Sequence, residues 1–299
     1  MHRFWFATRM GTSICKSALG AMFALAGALV QAQAPAGAAC SAQPAAAADL
    51  HDRLLAKATA LYDSASKSGL RSFDCQVHPD WKQIMASSRK GAAGPDDDHR
   101  LALVSTAAIT LHARMMGGST LDWQPPAAAG MPLSQPDQAL LERAHRGIEN
   151  TLLGVLKLWM PLVNGSVAES LGEEGMTIAD TGTGYTVRSG DKFLTEEFDH
   201  NLLLTRYRAT DAGATMDIAP RFEQGPHGLQ LTSFTAQISP GGAAAGSAQQ
   251  MDVAVEYPAV SGMTIPAAIN IDVANVVTMN FKLDSCTATC GGADGACAP

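Results

Sequence analysis

The feature that most constrains the fold is a succession of short alternating segments that fills the second half of the chain. From residue 176 to residue 283, apolar and polar side chains alternate within segments that follow one another at hairpin spacing. The last segment shows the pattern well, with Val277, Met279, Phe281 and Leu283 alternating with Thr278, Asn280, Lys282 and Asp284. Successive side chains of a strand point to opposite faces. The pattern therefore predicts a long antiparallel meander with one face covered and one face in water.

The earlier part of the chain supplies the cover for this sheet. Apolar residues at three- and four-residue spacing predict a helix over 50–66 and a longer one over 135–160, which starts at Ser134 and stops near Pro161. A strand over 109–115 lies between the helices and places His112 on its polar face. The predicted fold class is α+β: a strongly curved antiparallel sheet, forming an incomplete barrel, with helices packed on its concave face.

One hairpin carries a family likeness. In "VEYPAVSGMTIPAAINID" (255–272), Pro266 follows a turn and sits at a strand start, where its missing N–H is tolerated. With Tyr257, Gly262 and Ile265, this segment resembles the hairpin common in the LolA-like family of outer-membrane lipoprotein-sorting, or lipoprotein-carrier, proteins. The resemblance covers about residues 50–286 and implies an incomplete antiparallel barrel plugged by helices. Members of that family hold lipid or lipoprotein acyl chains in an apolar interior, or sense mislocalised envelope proteins.

The beginning of the chain predicts export. Three basic residues precede an uncharged run over 17–30, and the small-x-small pattern Ala32-Gln33-Ala34 follows. This order indicates a signal peptide over 1–34, because the run is shorter than the roughly 20 residues that span a membrane. The alternative is an uncleaved N-terminal anchor. We predict a secreted or periplasmic protein, soluble after cleavage and without a stable membrane span.

The remaining 265 residues divide into three parts by composition. Residues 35–48 are an Ala/Pro-rich tether without periodicity and are predicted to be disordered. Residues 49–286 form the LolA-like half-barrel domain, and 287–299 form a flexible Cys/Gly tail. After cleavage, 18 basic residues stand against 28 acidic ones, a net charge of −10. This charge argues against binding to nucleic acid.

A search for catalytic motifs finds no Gly-x-Ser-x-Gly, His-Glu-x-x-His or Walker sequence. The carboxylates of "DDDH" at 96–99 are ligands that hard cations prefer, but such acidic loops are usually only solvated. Glu196 and Glu197 are neighbours in a strand and point to opposite faces, so they cannot form an acid–base couple on one substrate. The sequence thus predicts a protein that is not an enzyme and has no cofactor and no metal site.

The candidate ligand site is the apolar interior between the sheet and the long helix. Its predicted lining consists of Ile109, Leu111, Met115, Trp123, Ile148, Leu152, Leu156, Trp159, Val277, Met279 and Phe281. The first hypothesis is a non-enzymatic protein that binds a lipid, an acyl chain or a lipidated protein in this cavity. The alternative is an envelope scaffold or stress-sensing interaction protein whose core is filled by its own side chains. The sequence does not identify a protein partner.

The cysteines suggest a covalent link between the ends of the sheet. Five of the six cysteines lie beyond residue 34, so at least one has no partner within the chain. Cys75 lies on the first predicted strand and Cys286 just beyond the last, and a curved meander can bring these strands together. We predict that Cys75 pairs with Cys286, with Cα atoms within about 7 Å. The alternative is a Cys290–Cys297 clip in the tail, and Cys40 is expected to be left over.

Overall fold

The computed structural model describes residues 43–88, 94, 96–125, 133–164, 176–189, 194–211, 214–239, 248–258, 265–274 and 276–291. The elements in chain order are α1 (Gln43–Leu61), β1 (Leu70–Pro79), α2 (Trp81–Ser87), α3 (Asp97–Ser105), β2 (Ala108–Arg114), β3 (Thr120–Gln124), α4 (Gln135–Val163), β4 (Thr177–Asp180), β5 (Gly184–Arg188), β6 (Leu194–Asp199), β7 (Leu204–Asp211), β8 (Ala214–Gly225), β9 (Gly228–Ser239), β10 (Gln249–Glu256), β11 (Ala268–Val273) and β12 (Val277–Cys290). The predicted signal peptide, the tether up to residue 42, the tail beyond 291 and the turn at 259–264 lie outside the described residues.

All of these strands belong to one antiparallel sheet. Its order is β3-β2-β1-β12-β11-β10-β9-β8-β7-β6-β5-β4, so every neighbour is consecutive in sequence except the pair β1 and β12. In that pair Phe73 lies opposite Ala288, which places the first and last strands side by side. Strands β3 and β4 form the two edges, and the sheet is not closed. The predicted class, α+β with a curved open antiparallel sheet and helices, is confirmed.

One face of the sheet is apolar and carries the core. In β12, Met279, Phe281 and Leu283 are buried whereas Lys282 is exposed, as the alternation predicts. Helices α1 and α4 both contact β9. Their apolar side chains join the buried strand residues in one continuous core cluster. Within the described residues, no helix has the length and apolar character needed to cross a membrane.

Helix α4 provides most of the helical contribution to this core. The Ser134 hydroxyl accepts a hydrogen bond from the Asp137 N–H at 3.3 Å and caps the first turn, as predicted. Ten apolar side chains of the helix are buried. The helix ends at Val163, close to the predicted stop, with Pro161 inside its last turn. The Val163 carbonyl then accepts a hydrogen bond from the Ala65 N–H at 2.8 Å, which joins this end to the segment that follows α1.

Several boundaries differ from the sequence prediction. Helix α1 begins at Gln43, inside the predicted tether, and β12 continues to Cys290, inside the predicted tail. Strand β12 is longer than predicted because its partner β1 begins at Leu70. Leu70 pairs with Cys290, and this longer pairing adds backbone hydrogen bonds. Helix α3 begins at Asp97, inside the acidic segment 96–99 that was expected to be a loop. Its buried side chain is Val104 alone, so it has too short an apolar stripe to give a periodic signal.

Helix α2 covers part of β12 that β1 does not reach. Strand β1 ends at Pro79, opposite Phe281. Beyond it the Asp80 N–H donates to the Asn280 carbonyl at 2.8 Å. The Ser87 hydroxyl then donates to the Thr278 carbonyl at 3.1 Å and accepts from the Thr278 N–H at 3.2 Å. The helix therefore takes over the hydrogen bonding of a strand at this position.

The proline of the predicted hairpin lies just outside the ladder. Pro266 precedes the first residue of β11, Ala268, by two positions. The next residue, Ala267, donates its N–H to the Glu256 carbonyl of β10 at 2.7 Å. Backbone pairing therefore begins immediately after the residue that cannot donate, as expected for proline at a strand start.

Candidate functional site

The residues predicted to line a pocket come together, but as a packed core. Leu111 and Leu152 have no exposed surface, and Trp159 is only 1% exposed. The buried members of the set are Ile109, Leu111, Met115, Ile148, Leu152, Leu156, Trp159, Met279 and Phe281. Trp123 and Val277 are partly buried and pack against the same cluster. All of the predicted residues thus belong to the interface between the sheet and the helices.

The burial of these side chains bears on whether a ligand has room. A side chain that lines a cavity wide enough for water keeps accessible surface on the cavity side. Leu111, Leu152, Leu156 and Trp159 keep almost none. Their neighbours therefore surround them at van der Waals distance, which is the packing of an ordinary protein interior. In this conformation, the side chains of α4 and the sheet fill the predicted pocket themselves.

Polar contacts fix α4 against the sheet near its C-terminal end. The Trp159 ring meets Phe73 of β1 edge-on, with centroids 6.4 Å apart. The Trp159 indole N–H donates to the Tyr257 hydroxyl at 3.2 Å. Burial raises the pKa of the Tyr257 hydroxyl, so the phenol stays neutral. The side-chain amide of Asn164 donates to the Met115 carbonyl at 2.7 Å. These contacts hold the helix in one position.

Tyr62 forms a second buried polar contact, which no sequence motif indicates. It follows α1, and its hydroxyl donates to the Leu202 carbonyl and accepts from the Leu204 N–H, both at 2.7 Å. Burial raises the pKa of this hydroxyl as well. Tyr62 therefore pins the end of α1 to the turn between β6 and β7. Its side chain appeared in the sequence only as one member of an apolar stripe, and nothing local indicated its backbone partners.

A surface cleft lies elsewhere, where β1 gives way to α2. It has a volume of about 370 Å³ and is lined by Val77, His78, Pro79, Asp80, Trp81, Lys82, Leu101, Ser105 and Ala107. None of the predicted pocket residues is among these. Trp81, one of the lining residues, meets Trp123 edge-on at 6.1 Å, and Trp123 stacks on His145 at 5.2 Å. The volume lies at the lower end of the range of about 300–1,000 Å³ for small-molecule sites. Such sites are mostly apolar, whereas four of the nine residues that line this cleft are polar.

The predicted disulfide is confirmed. Cys75 and Cys286 are bonded, with Cα atoms 4.2 Å apart and 211 residues of separation. Asp74 pairs with Thr287 and Gln76 with Asp284, so the bond crosses adjacent strands at a bulge. Cys290 is disulfide-bonded too, and its pairing with Cys297 stays a prediction because residue 297 lies outside the described residues.

The acidic candidates lie in two separate elements, β6 and α3. Glu196 is buried, whereas Glu197 on the opposite face is half-buried, as their adjacency in β6 predicts. Asp97 and Asp98, of the acidic segment 96–99, lie in the first turn of α3, where carboxylates interact favourably with the helix dipole. Within the described ranges, no group of three or more His, Cys, Asp or Glu side chains could hold a metal ion.

Comparisons with known proteins do not extend this description. No family model matches the chain, and no curated protein or solved structure matches it. The LolA-like resemblance therefore stays a prediction, carried by the hairpin over 255–272.

Proposed function

We propose that this protein is an exported, non-enzymatic scaffold or stress-sensing protein of the cell envelope, which acts through contacts with a partner and has a core filled by its own side chains. The observation that carries the proposal is the burial of Leu111, Leu152, Leu156 and Trp159 between α4 and the sheet. An open acyl carrier needs an apolar cavity joined to solvent. Here that space contains protein atoms.

Export is supported by two independent features. The segment over 1–34 has the charge and apolar pattern of a signal peptide. The Cys75–Cys286 bond suits an oxidising compartment, because cytosolic thiols are kept reduced.

Acyl-chain binding is the second candidate, and the apolar face of α4 favours it. The helix covers the apolar sheet face with ten buried apolar side chains. Its polar attachments near the C-terminal end include the Trp159–Tyr257 and Asn164–Met115 hydrogen bonds. A ligand that displaced α4 would contact the apolar face of the sheet that the helix now covers. This mode agrees with the function that the LolA-like resemblance implies.

A fluorescent fatty acid separates the two candidates. The proposal expects no saturable binding to the mature protein, and none to Tyr257→Phe, in which the Trp159 N–H loses its acceptor and α4 is held less tightly. Tyr185→Phe is the matched control, because this half-buried tyrosine lies on β5 and contacts His200. Saturable binding to wild type that becomes tighter in Tyr257→Phe but not in the control would establish the carrier function instead.

Native material gives a second, independent test. The protein is purified from its own cell envelope after brief cross-linking, and bound lipid is extracted with organic solvent and measured by mass spectrometry. The proposal expects a discrete cross-linked complex and no stoichiometric lipid. A monomer that carries one lipid per chain would overturn it.

A further inference from the structure

His112 lies between two carboxylates that belong to two other strands. It projects from β2 on the outer face of the sheet, opposite Asp74 of β1 in the strand register. Its Nδ1 atom is 2.7 Å from Asp74 Oδ1, and its Nε2 atom is 3.2 Å from Asp122 Oδ2 of β3. One imidazole therefore connects three neighbouring strands, β1, β2 and β3, at the edge of the sheet.

The geometry suits only one protonation state of this ring. A neutral imidazole has one N–H donor and one lone pair, whereas the imidazolium has two donors. Both ring nitrogens of His112 face carboxylate oxygens, which are acceptors. Neutral His112 would satisfy one aspartate and direct a lone pair at the other. The two aspartates would also lose the positive charge that lies between them.

The charged groups around His112 also favour its doubly protonated form. The hydrogen bond to Asp74, followed by that to Asp122, raises the pKa of His112 above its usual range, although partial burial opposes the shift. Asp74 and Asp122 are the charged groups that face the ring from β1 and β3. Along β2 itself, Arg114 is exposed on the same face, two positions away. The helices α1 and α4 pack on the opposite, apolar face.

We propose that His112 is a pH-sensitive latch, which in its doubly protonated form fastens the edge hairpin β2–β3 to β1 and loosens its attachment as the pH rises. The hairpin is suited to such control. Strand β3 is an edge strand, whereas β1 is bonded covalently to β12 next to the latch, through Cys75. Deprotonation would loosen the hairpin and leave the rest of the sheet in place.

The sign of the pH dependence follows from the direction of the shift. A histidine whose pKa is raised by folding adds stability that is fully present below its unfolded-state pKa, about 6.5. That stability is lost as the pH rises through the raised pKa of His112. The latch is therefore closed below about pH 6.5 and loosens as the pH rises through the raised pKa of His112.

Two other histidines serve as internal controls. His78 contacts Asp284 through Nε2 at 3.2 Å, and His99 contacts Asp137 through Nε2 at 3.0 Å. Each has one carboxylate partner, so the neutral tautomer with its proton on Nε2 can still donate that bond. Neither contact therefore requires a doubly protonated ring.

The test combines histidine NMR with hydrogen exchange on the mature, oxidised protein. We expect the His112 ring to titrate at higher pH than in Asp122→Asn. We also expect the rate of amide hydrogen exchange in residues 108–124, corrected for its intrinsic pH dependence, to increase about two- to fivefold once the ring deprotonates. This factor corresponds to the stability that an exposed ion pair typically contributes. His112→Gln should remove this increase and His99→Gln should not. A wild-type His112 that titrates at its ordinary value, or hairpin exchange that does not change with pH, would overturn the proposal even if no variant folds.

Discussion

Removal of the Cys75–Cys286 bond should lower the stability of this protein substantially, because the bond closes a very long loop. The bond closes a loop with 211 residues of sequence separation. For a loop of that length, the loss of unfolded-chain entropy corresponds to about 5 kcal/mol at 25 °C, and native disulfides removed from small domains typically cost about 2–5 kcal/mol. We therefore expect Cys75→Ala/Cys286→Ala to lose about 3–5 kcal/mol of unfolding free energy. At about 2–4 °C per kcal/mol for a domain of this size, Tm should fall by about 6–20 °C.

The assay is urea unfolding followed by far-UV circular dichroism, with the Cys290 bond left intact. The double variant should also show a larger m-value, because an unlinked unfolded chain exposes more surface. The control is Ser285→Gly, which alters the same bulge but keeps the disulfide. Ser285 has a φ of 50°, a conformation that glycine adopts readily, so this variant should be neutral or slightly stabilising. A loss below about 1 kcal/mol with an unchanged m-value would refute the reasoning from chain entropy.

Three further predictions test the packing and the charges. Gly184→Ala should lower the unfolding free energy by about 1–3 kcal/mol or more, because a Cβ there would lie 1.9 Å from a backbone carbonyl oxygen of β6. At Gly154 on α4, an added Cβ has nothing within 4 Å, so Gly154→Ala should stabilise the protein by up to about 1 kcal/mol. Thermal unfolding compares the two variants. Tyr62→Phe should cost about 1–3 kcal/mol in urea unfolding, because it leaves two buried backbone groups without their partner, and an unchanged midpoint would contradict this role. Hydrogen bonds from Arg206 and then Arg208 lower the pKa of Asp217. The contribution of Asp217 to stability is therefore present at neutral pH and is lost as the pH falls from about 4 through the lowered pKa. Asp217→Asn should lower Tm at pH 7 and have little effect in strong acid, and an equal effect at both pH values would count against this prediction.

The candidate pocket shows where sequence reasoning reaches its limit. Leu152, Leu156 and Trp159 were correctly placed on one helix face that meets the sheet. An apolar stripe has the same composition whether it seals a core or borders a cavity. The separation between α4 and the sheet decides between them, and that separation depends on side-chain packing across elements far apart in sequence.

The cysteines show the same limit. Two pairings were compatible with their positions in the chain, since spacing alone does not determine connectivity. The Cys75–Cys286 pairing follows from the sheet order, which brings β1 beside β12 and places Cys75 at the bulge facing Cys286.

Local side-chain chemistry therefore determined the class of this fold, because strand alternation and helix periodicity depend on residues a few positions apart. It fixed the polar face on which His112 lies, the cap at Ser134 and the position of Pro266 just before backbone pairing begins. Tertiary structure alone decided which strands are neighbours, and with them the disulfide, the filling of the core and the two carboxylates at His112. Those features depend on register across strands, where Asp74 and Asp122 reach one imidazole from opposite sides.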